Sequence, residues 1–335
     1  MEKEKHKIGI LGCGWIMRDV YTPIIQKLSD RVEVAALCDL KPENLQTASR
    51  NFPQARTYAN PEALVESAGL DALMVLTSVH ANARMASLAL QAGLDVFLEK
   101  PPAISLEELD WLLECETKAS GRLYTAFNRR HTPLLAGVDF STSMHCVRGR
   151  MERRRRVVEI FPYTAIHLID SVQFYTGSRF SEAEVLFGHS PSPHWSVRGA
   201  WAGGATCHLE LFPASGEYCE SLVIEGSAHT WEIQFPNSAS AFPRGQLLRT
   251  TRAAPSSAAR IPDVPGDDLE QMGYAPAFRK FVDALDGDDL PGAIWLLSDC
   301  RTTIAIMESM IQKSEKPIHL SIERTDVSRL QQHSS

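Results

Sequence analysis

The stretch that decides the fold is KIGILGCGWIM at residues 7–17. It opens on a short apolar run, which predicts a buried β-strand, and two glycines follow directly. Gly12 permits a tight turn, and Gly14 lets the backbone approach a pyrophosphate whose charge is favoured by the N-terminus of the next helix. Met17 stands where the G-x-G-x-x-G pattern usually has Gly or Ala. A bare G-x-G is more often a structural turn, so this one predicts a dinucleotide site only in a suitable context.

The first 127 residues supply that context, because short apolar runs alternate there with helical patterns. The runs lack polar alternation, so both faces of each strand should be covered, as in a parallel sheet. After the first strand, further strands are expected at residues 32–38, 72–77, 96–98 and 123–127. Helix starts are expected at Asn60-Pro61, at residue 81 and at the capping box Ser105-x-x-Glu108. The pattern predicts a doubly wound α/β Rossmann domain over residues 1–127.

The pattern changes after residue 127. Strand-like segments follow in succession at 145–158, 182–188, 197–212 and 220–235, with one helical pattern at 165–175. This predicts a second, α+β domain over residues 128–335 with a mostly antiparallel sheet. A long loop is expected at 236–266, then helices at 276–286 and 293–313, and a frayed tail from Thr325.

Composition excludes several classes of protein. The 335 residues carry 34 Lys and Arg against 41 Asp and Glu, a net charge of −7, which argues against non-specific nucleic-acid binding. No stretch reaches the roughly 20 apolar residues that span a bilayer. The apolar run at 8–11 is shorter than the roughly 7–15 residues of a signal sequence, so we expect a cytoplasmic protein. Seven cysteines without a C-x-x-C predict neither a disulfide scaffold nor a metal site.

Asp39 ends the second expected strand, 27 positions after Gly12. An acidic group there can accept hydrogen bonds from the adenosine ribose hydroxyls and repels a 2′-phosphate, which favours NAD over NADP. Lys41 could soften that repulsion, so NADP stays an alternative. Taken alone, Asp39 could instead be a helix N-cap before Pro42.

Lys100 follows a buried strand in the run LEKPP at 98–102. Ligands of a doubly wound sheet bind beyond the carboxyl ends of its strands, so Lys100 should face that crevice. The alternative is an ordinary surface lysine at a strand end. Glu99 and the two prolines favour a fixed position.

The sequence resembles the glucose–fructose oxidoreductase/myo-inositol dehydrogenase (Gfo/Idh/MocA) family. The matching motifs are KIGILGCG at 7–14, CD at 38–39, SLALQAGLDVFLEKPPA at 87–103, FNRRHTP at 127–133, His167-x-x-Asp170 and GYAPAFRKFVDAL at 273–285. The resemblance implies a Rossmann domain followed by an open-faced mixed sheet, with the nicotinamide between them. It also implies a cis bond before Pro101 and a Lys100 that positions or polarises the reacting oxygen of the substrate.

The family pattern has an Asp four residues before a His that serves as general acid/base. Here Tyr163 stands at the Asp position and His167 remains. The two lie one helical turn apart, so both side chains could face one site. His suits proton transfer near neutrality, and a phenol could donate if Lys100 lowered its pKa. Both residues could instead be packing residues, and Asp170 could orient the imidazole or only pack.

A second departure lies at residues 77–82, where Asn82 takes the place of a usual His. Thr77 and Ser78 could still line the nicotinamide ribose, and His80 could face the cofactor or be merely exposed. The expected cofactor-binding residues are therefore Gly12, Gly14, Trp15, Ile16, Asp39, Thr77, Ser78, His80, Glu99 and Lys100, and the expected catalytic residues are Lys100, His167 and Tyr163.

The run Arg153–Arg156 falls inside an expected strand. Strand alternation would send Arg153 and Arg155 to one face and Arg154 and Arg156 to the other. One pair could meet an anionic substrate, such as a uronate or a sugar carrying a phosphate or nucleotide. Ion pairs across an oligomer interface are an equal alternative.

These observations predict an NAD(P)-dependent oxidoreductase that transfers hydride between nicotinamide and a secondary alcohol or ketone of a sugar, cyclitol or related polyol. A non-catalytic nucleotide-binding regulatory protein of the same fold is the alternative. Reduction or elimination on another carbonyl or imine is a weaker one. Carbohydrate-like substrates and a homodimer or homotetramer are the expected partners, with no nucleic acid and no membrane.

Overall fold

The computed structural model describes residues 4–66, 69–140, 144–177, 179–251, 254–260, 265–287 and 297–322. Within these residues the strands are β1 His6–Leu11, β2 Val32–Cys38, β3 Arg56–Tyr58, β4 Ala72–Val75, β5 Asp95–Glu99, β6 Leu123–Ala126, β7 Met144–Arg154, β8 Glu182–Gly188, β9 His194–Ala200, β10 Thr206–Ser215, β11 Cys219–Gly226, β12 His229–Gln234, β13 Gln246–Thr251, β14 Ala254–Arg260 and β15 Ile318–Ser321. The α-helices are α1 Thr22–Lys27, α2 Pro42–Asn51, α3 Pro61–Val65, α4 Asn82–Gln91, α5 Leu106–Lys118, α6 Pro162–Thr176, α7 Asp268–Gln271, α8 Tyr274–Leu285 and α9 Arg301–Gln312.

The first sheet is parallel, with strand order β3-β2-β1-β4-β5-β6. Every residue of β4 is buried, as are four of the five residues of β5, which confirms that helices cover both faces. The order reverses between β1 and β4, and a doubly wound sheet binds its ligands at such a switch point. The predicted Rossmann fold is therefore confirmed.

Local signals in this domain act largely as expected. The Asn60 side chain accepts a hydrogen bond from the Ala63 N–H at 2.9 Å and caps α3. Ser105 caps α5 by accepting from the Glu108 N–H at 3.1 Å. The Glu108 carboxylate, however, accepts from the N–H of Ile104 at 2.7 Å, one residue before the cap, so only half of the capping box forms as predicted.

The second sheet is mixed and has the order β14-β13-β12-β11-β7-β10-β9-β8-β15. Strand β7 lies near its centre, parallel to β10 and antiparallel to β11. Burial alternates along β10 and β11, so one face packs on the core while the other is more exposed. The predicted α+β architecture is confirmed, although the segment 197–212 is two strands, β9 and β10, rather than one.

One expectation for this domain is wrong, and one strand was not expected. Residues 236–266 are not one long loop, because β13 and β14 extend the sheet there. Leu247 is fully buried opposite Ile233 and anchors β13, a contact that the polar, Pro- and Ser-rich sequence hides. The short strand β15, which pairs with β8, was not expected at all. The expected tail from Thr325 and the first residues of the helix expected at 293–313 lie outside the described residues.

Helix α8 lies against the first sheet although it comes late in the chain. Phe278 and Phe281 pack on Phe97 with ring centroids 5.5 and 5.3 Å apart, and Phe281 also packs on Tyr124 at 5.3 Å. Helix α9 packs between α5 and α6. The two sheets thus share helices, and a domain boundary at residue 127 stays a prediction. Among the described residues, no helix combines the length and apolar character needed to cross a membrane.

Candidate active site

A cleft of about 580 Å³ lies beyond the carboxyl ends of the first sheet, between it and the second domain. We call this the interdomain cleft. The first sheet and its loops contribute Trp15, Ile16, Thr77, Glu99 and Lys100 to its lining. The other side of the lining includes Arg129, Arg153, Arg154, Arg156 and His167. Across the described ranges, no group of three or more His, Cys, Asp or Glu side chains could hold a metal ion.

The glycine turn has the geometry that its sequence predicts. Gly12 has a φ of +99°, and a Cβ there would lie 2.4 Å from the carbonyl oxygen of Leu76, so only glycine fits. A Cβ on Gly14 would meet nothing within 4 Å, which shows open space in front of that backbone. The turn leads into a helix whose π-helical part, Met17–Tyr21, precedes α1. A phosphate group could therefore approach this turn closely.

Asp39 ties the glycine turn to the end of β2. Its carboxylate accepts hydrogen bonds from the backbone N–H of Cys13 at 2.7 Å and of Lys41 at 2.8 Å. The N-cap residue of α2 is Lys41, so the alternative reading of Asp39 as that cap is wrong. The carboxylate sits beside the turn, where an adenosine ribose could reach it, and this role stays a prediction.

Asn82 holds the backbone on both sides of Lys100. Its Nδ2 donates to the carbonyl of Glu99 at 2.9 Å and to that of Pro101 at 3.0 Å. The Thr77 hydroxyl donates to Asn82 Oδ1 at 2.8 Å. The Lys100–Pro101 peptide bond is cis, as the resemblance implied. The sequence showed only that Asn82 replaces a usual His, so this positioning role was missed.

Glu99 lies behind Lys100 and is buried. The Tyr21 hydroxyl donates to Glu99 Oε1 at 2.7 Å, and the Lys100 N–H donates to Glu99 Oε2 at 3.1 Å. Burial raises the pKa of Glu99, against the opposing effects of Lys100 and Tyr21. Both carboxylate oxygens are thus engaged by protein groups, so Glu99 supports the end of β5, and its expected contact with a cofactor stays a prediction.

Lys100 and His167 share the interdomain cleft, as predicted. The Lys100 ammonium donates to the carbonyl oxygen of Tyr163 at 3.2 Å, which leaves donors free for a ligand. Burial lowers the pKa of Lys100 against the attraction of Glu99, with nearby guanidinium groups adding to the lowering. Burial also lowers the pKa of His167 well below its usual value, and Lys100 and the guanidinium groups act in the same direction. His167 Nδ1 is buried and has no hydrogen-bond partner in the part of the chain that the structure describes.

Tyr163 does not join them, contrary to the expectation that positions 163 and 167 face one site. Its ring lies edge-on to His80, 6.2 Å between centroids, and packs against the core of the first domain. Burial raises the pKa of its phenol, and Glu108 adds to this, so Lys100 does not lower it. His80 and Ser78 are exposed and are not part of the cleft lining either. Only the backbone of Tyr163 reaches the site, through its bond with Lys100.

Asp170 does not orient the His167 imidazole. Its two oxygens accept from Arg130 Nη2 at 2.5 Å and Nε at 2.8 Å, in a buried two-point ion pair. Asp170 therefore anchors α6 to the segment after β6. Of the two alternatives for this residue, the structural role is the one that the contacts support.

The arginine run does not alternate as a strand would. Strand β7 ends at Arg154, and Arg155 has a φ of 56°, a left-handed conformation that is uncommon for any residue but glycine. As a result Arg153, Arg154 and Arg156 all line the interdomain cleft. The expected separation onto two faces is wrong, because β7 ends at Arg154 and the regular strand conformation does not continue through Arg155.

A buried carboxylate shared by two guanidinium groups lies behind this run. Glu220 accepts from Arg129 Nε and Nη2, both at 3.0 Å, and also from Arg153. Burial alone would raise the pKa of Glu220, but the attraction of the two arginines outweighs it and lowers the pKa to about 2. The sequence did not reveal this pairing, because Glu220 and Arg129 are 91 residues apart. Arg129 lies in the motif at 127–133, but no role was expected for it, and Glu220 lies in none of the matching motifs.

This geometry defines a class of protein: a two-domain α/β protein with a dinucleotide-type turn and a lysine–histidine pair in one cleft. Residues 6–127 match the family described as an oxidoreductase family with an NAD-binding Rossmann fold, Gfo/Idh/MocA. Over these residues, which carry the first sheet, the chain is similar to that family.

Relatives of known activity match parts of the chain. An inositol 2-dehydrogenase of Paracoccus denitrificans is 32% identical over 57% of this chain and 61% of its own length. A myo-inositol 2-dehydrogenase of Thermotoga maritima is 27% identical over 37% of this chain and 36% of its own length. The chain thus spans less than two thirds of the length of these curated relatives.

The whole fold has solved counterparts. The UDP-N-acetylglucosamine 3-dehydrogenase of Acidithiobacillus ferrooxidans superposes with a TM-score of 0.76, covering 93% of this chain and 99% of that one. Its sequence identity is 17%, so the likeness concerns the fold, including the second sheet.

Proposed function

We propose that this protein is an NAD(P)-dependent oxidoreductase that interconverts a secondary alcohol and a ketone on a sugar, cyclitol or related polyol. The observation that carries the proposal is the meeting of Lys100 and His167 in one cleft beside the glycine turn. The family match to an NAD-binding Rossmann fold and the similarity to inositol dehydrogenases support it.

The residues present fit a dinucleotide. The open space before Gly14 would admit the pyrophosphate, and Asp39 would accept hydrogen bonds from the adenosine ribose. Trp15, Ile16 and Thr77 line the cleft where the nicotinamide end would lie. An acidic residue at the ribose position favours NAD, with NADP the alternative. A bound NAD would supply the acceptor for the hydride that leaves the substrate carbon.

The chain's own groups would manage the substrate oxygen and its proton. The Lys100 ammonium, fixed by Asn82 and by the Tyr163 carbonyl, would donate to that oxygen and stabilise the negative charge that develops on it. His167 has a depressed pKa and is therefore neutral near pH 7, so its ring can accept the hydroxyl proton. In the reduction direction the same groups return the proton.

A non-catalytic nucleotide-binding protein of the same fold is the second candidate. The observation that favours it is the absence of the Tyr163 phenol from the cleft lining, where the family pattern has an acidic residue. The retained lysine–histidine pair favours catalysis. A cytoplasmic location and a homodimer or homotetramer, formed through the exposed face of the second sheet, belong to the same proposal.

The test follows the absorbance of reduced nicotinamide with purified protein, NAD or NADP and a panel of cyclitols and sugars. We expect turnover with at least one polyol, and we expect Lys100→Met to lower kcat by about 10²–10³-fold, the typical loss when a charge-stabilising donor is removed. Binding of NAD should stay within about twofold, because the glycine turn and Asp39 are untouched.

Lys118→Met is the matched control, since that lysine is 71% exposed at the end of α5. It should leave kcat unchanged. Turnover that survives Lys100→Met would remove Lys100 from the chemistry. NAD binding without turnover across the panel would favour the regulatory candidate.

A further inference from the structure

The interdomain cleft carries more positive charge than an alcohol or ketone needs. Five cationic side chains line it: Lys100, Arg129, Arg153, Arg154 and Arg156. The acidic groups are Glu99 and Asp268 in the lining and Glu220 buried behind it. With His167 neutral, the site has an excess of two positive charges in a chain whose net charge is −7.

The arginines differ in how far protein groups satisfy them. Arg129 and Arg153 are buried and compete for the single carboxylate of Glu220. Among the described residues, neither the buried Arg153 Nε nor the buried His167 Nδ1 has a hydrogen-bond partner. Buried polar atoms in folded proteins usually have a hydrogen-bond partner, so these two atoms of residues that line the cleft are available to a polar ligand there.

Arg154 and Arg156 are the exposed members of the cluster. The Arg156 Nε donates only to the Thr164 hydroxyl, at 3.3 Å, and no carboxylate pairs with either side chain in the described structure. The left-handed backbone at Arg155 follows directly on β7, and Arg153, Arg154 and Arg156 all line the cleft, although a regular strand would send Arg153 to the opposite face. A strained backbone that persists at one point often marks a functional constraint.

We propose that the substrate carries an anionic group, a carboxylate or a phosphate, which Arg154 and Arg156 bind at the end of β7 while Lys100 and His167 act on the hydroxyl or keto group. This inference rests on the proposed function and narrows its substrate class. Guanidinium groups bind carboxylate and phosphate oxygens in pairs, which gives direction as well as affinity. The anion would also offset the repulsion among the clustered cations, with Glu220 keeping Arg129 and Arg153 in place.

The experiment is a calorimetric titration of NAD-saturated protein with D-glucuronate, D-glucose 6-phosphate, inorganic phosphate and neutral D-glucose. We expect at least one anionic probe to bind tenfold or more tightly than D-glucose. Arg154→Gln and Arg156→Gln should each weaken that binding by about tenfold, the usual range for a charged hydrogen bond, and leave NAD affinity unchanged. The anion that binds best decides between carboxylate and phosphate.

Arg148→Gln is the matched control, because Arg148 lies on the same strand, is 57% exposed and pairs with Glu225 outside the cleft. This variant should change neither the affinity for the anionic probe nor the affinity for NAD. The proposal is overturned if no anionic probe binds better than D-glucose, or if the two variants weaken NAD instead, which would assign the arginines to the cofactor's phosphates.

The two proposals can fail separately. Anion binding that depends on Arg154 and Arg156, without any turnover on the polyol panel, would refute the oxidoreductase and keep the anion site. Turnover of neutral polyols with unchanged KM in both arginine variants would refute the anion site and keep the oxidoreductase.

Discussion

Arg129 and Arg130 are neighbours in sequence, and both are buried in ion pairs, yet the two pairs are built differently. Arg130 makes a two-point ion pair with Asp170, between the aromatic rings of Phe127 and Phe174. Arg129 shares Glu220 with Arg153, so two guanidinium groups meet one carboxylate at the wall of the cleft. The Arg130–Asp170 pair is balanced in charge. The second cluster has two guanidinium groups and one carboxylate, so it carries a net positive charge.

The two clusters therefore differ in the role that we assign to them. The Arg130–Asp170 pair is structural, and the Arg129–Glu220–Arg153 cluster belongs to the proposed binding site. A balanced buried pair fixes two elements, here α6 and the segment after β6, and its loss exposes an uncompensated charge to a low-dielectric interior. A carboxylate that is shared by two guanidinium groups positions both of them but neutralises only one of the two positive charges. The remaining charge can attract an anionic ligand. The same residue types thus serve structure at Arg130 and, in our proposal, support the binding site at Arg129 and Arg153.

The largest expected effect comes from breaking the balanced pair. Arg130→Met leaves the Asp170 carboxylate buried without its partner and should lower the free energy of unfolding by about 3–5 kcal/mol. Urea unfolding followed by circular dichroism measures this. Adding Asp170→Leu should restore most of the loss, since a buried ion pair can often be replaced by apolar groups. An Arg130→Met protein as stable as the wild type would show that the Arg130–Asp170 pair does not fix α6 to the segment after β6.

Breaking the shared pair should cost less. Arg153→Met leaves Glu220 with both bonds from Arg129, so only the bonds of one guanidinium are lost, and their contribution is partly offset because one cation fewer is buried. We expect a loss of about 1–2 kcal/mol in the same urea experiment. A loss as large as that of Arg130→Met would mean that Arg129 cannot hold Glu220 alone, and the contrast between the two pairs would disappear.

The smallest expected effect is a pH dependence of the loss in free energy of unfolding that Arg153→Met causes. The pKa of Glu220 is lowered to about 2, so its ion pairs stabilise the folded state fully above the unfolded value of about 4.5, and this contribution is lost as the pH falls through 2. Removing Arg153 raises the folded pKa of Glu220 towards 4.5. The deficit of Arg153→Met should therefore be constant above pH 4.5 and shrink, by about 1 kcal/mol or less, as the pH falls towards 2.

Unfolding curves at pH 7, 5, 4 and 3 check this, with Arg148→Met as the exposed control on the same strand. A deficit that grows on acidification has the wrong sign and would show that Arg153 does not stabilise the ionised form of Glu220.

Periodicity predicted the first domain well, because its strands are continuous apolar runs with helices between them. All five strands expected there form, and the caps Asn60 and Ser105 act at the expected residues. The second sheet was predicted in class but not in extent. Strand β15 lies at one edge and is held by pairing with the remote β8, which no local pattern reveals. Strand β13 pairs with its chain neighbours β12 and β14, but its polar, Pro- and Ser-rich surroundings hide it in the sequence.

The candidate site was predictable where a motif carries the chemistry. Lys100, His167 and the glycine turn lie where motif and resemblance place them. Tyr163 was misjudged because helical spacing fixes which residues are neighbours, not the direction in which a ring packs at a helix start. Arg129, Glu220 and Asn82 were missed because their roles arise from contacts between remote parts of the chain.

Helix α8 has a consequence for how the chain must be handled. It covers Phe97 and Tyr124 on the first sheet, yet it is made after most of the second domain. A fragment that stops at residue 127 would leave these rings open to water and invite aggregation, so the nucleotide half cannot reach its native surface until the late part of the polypeptide has been synthesised. The first sheet and α8 belong to one hydrophobic core, although residue 127 separates them in sequence.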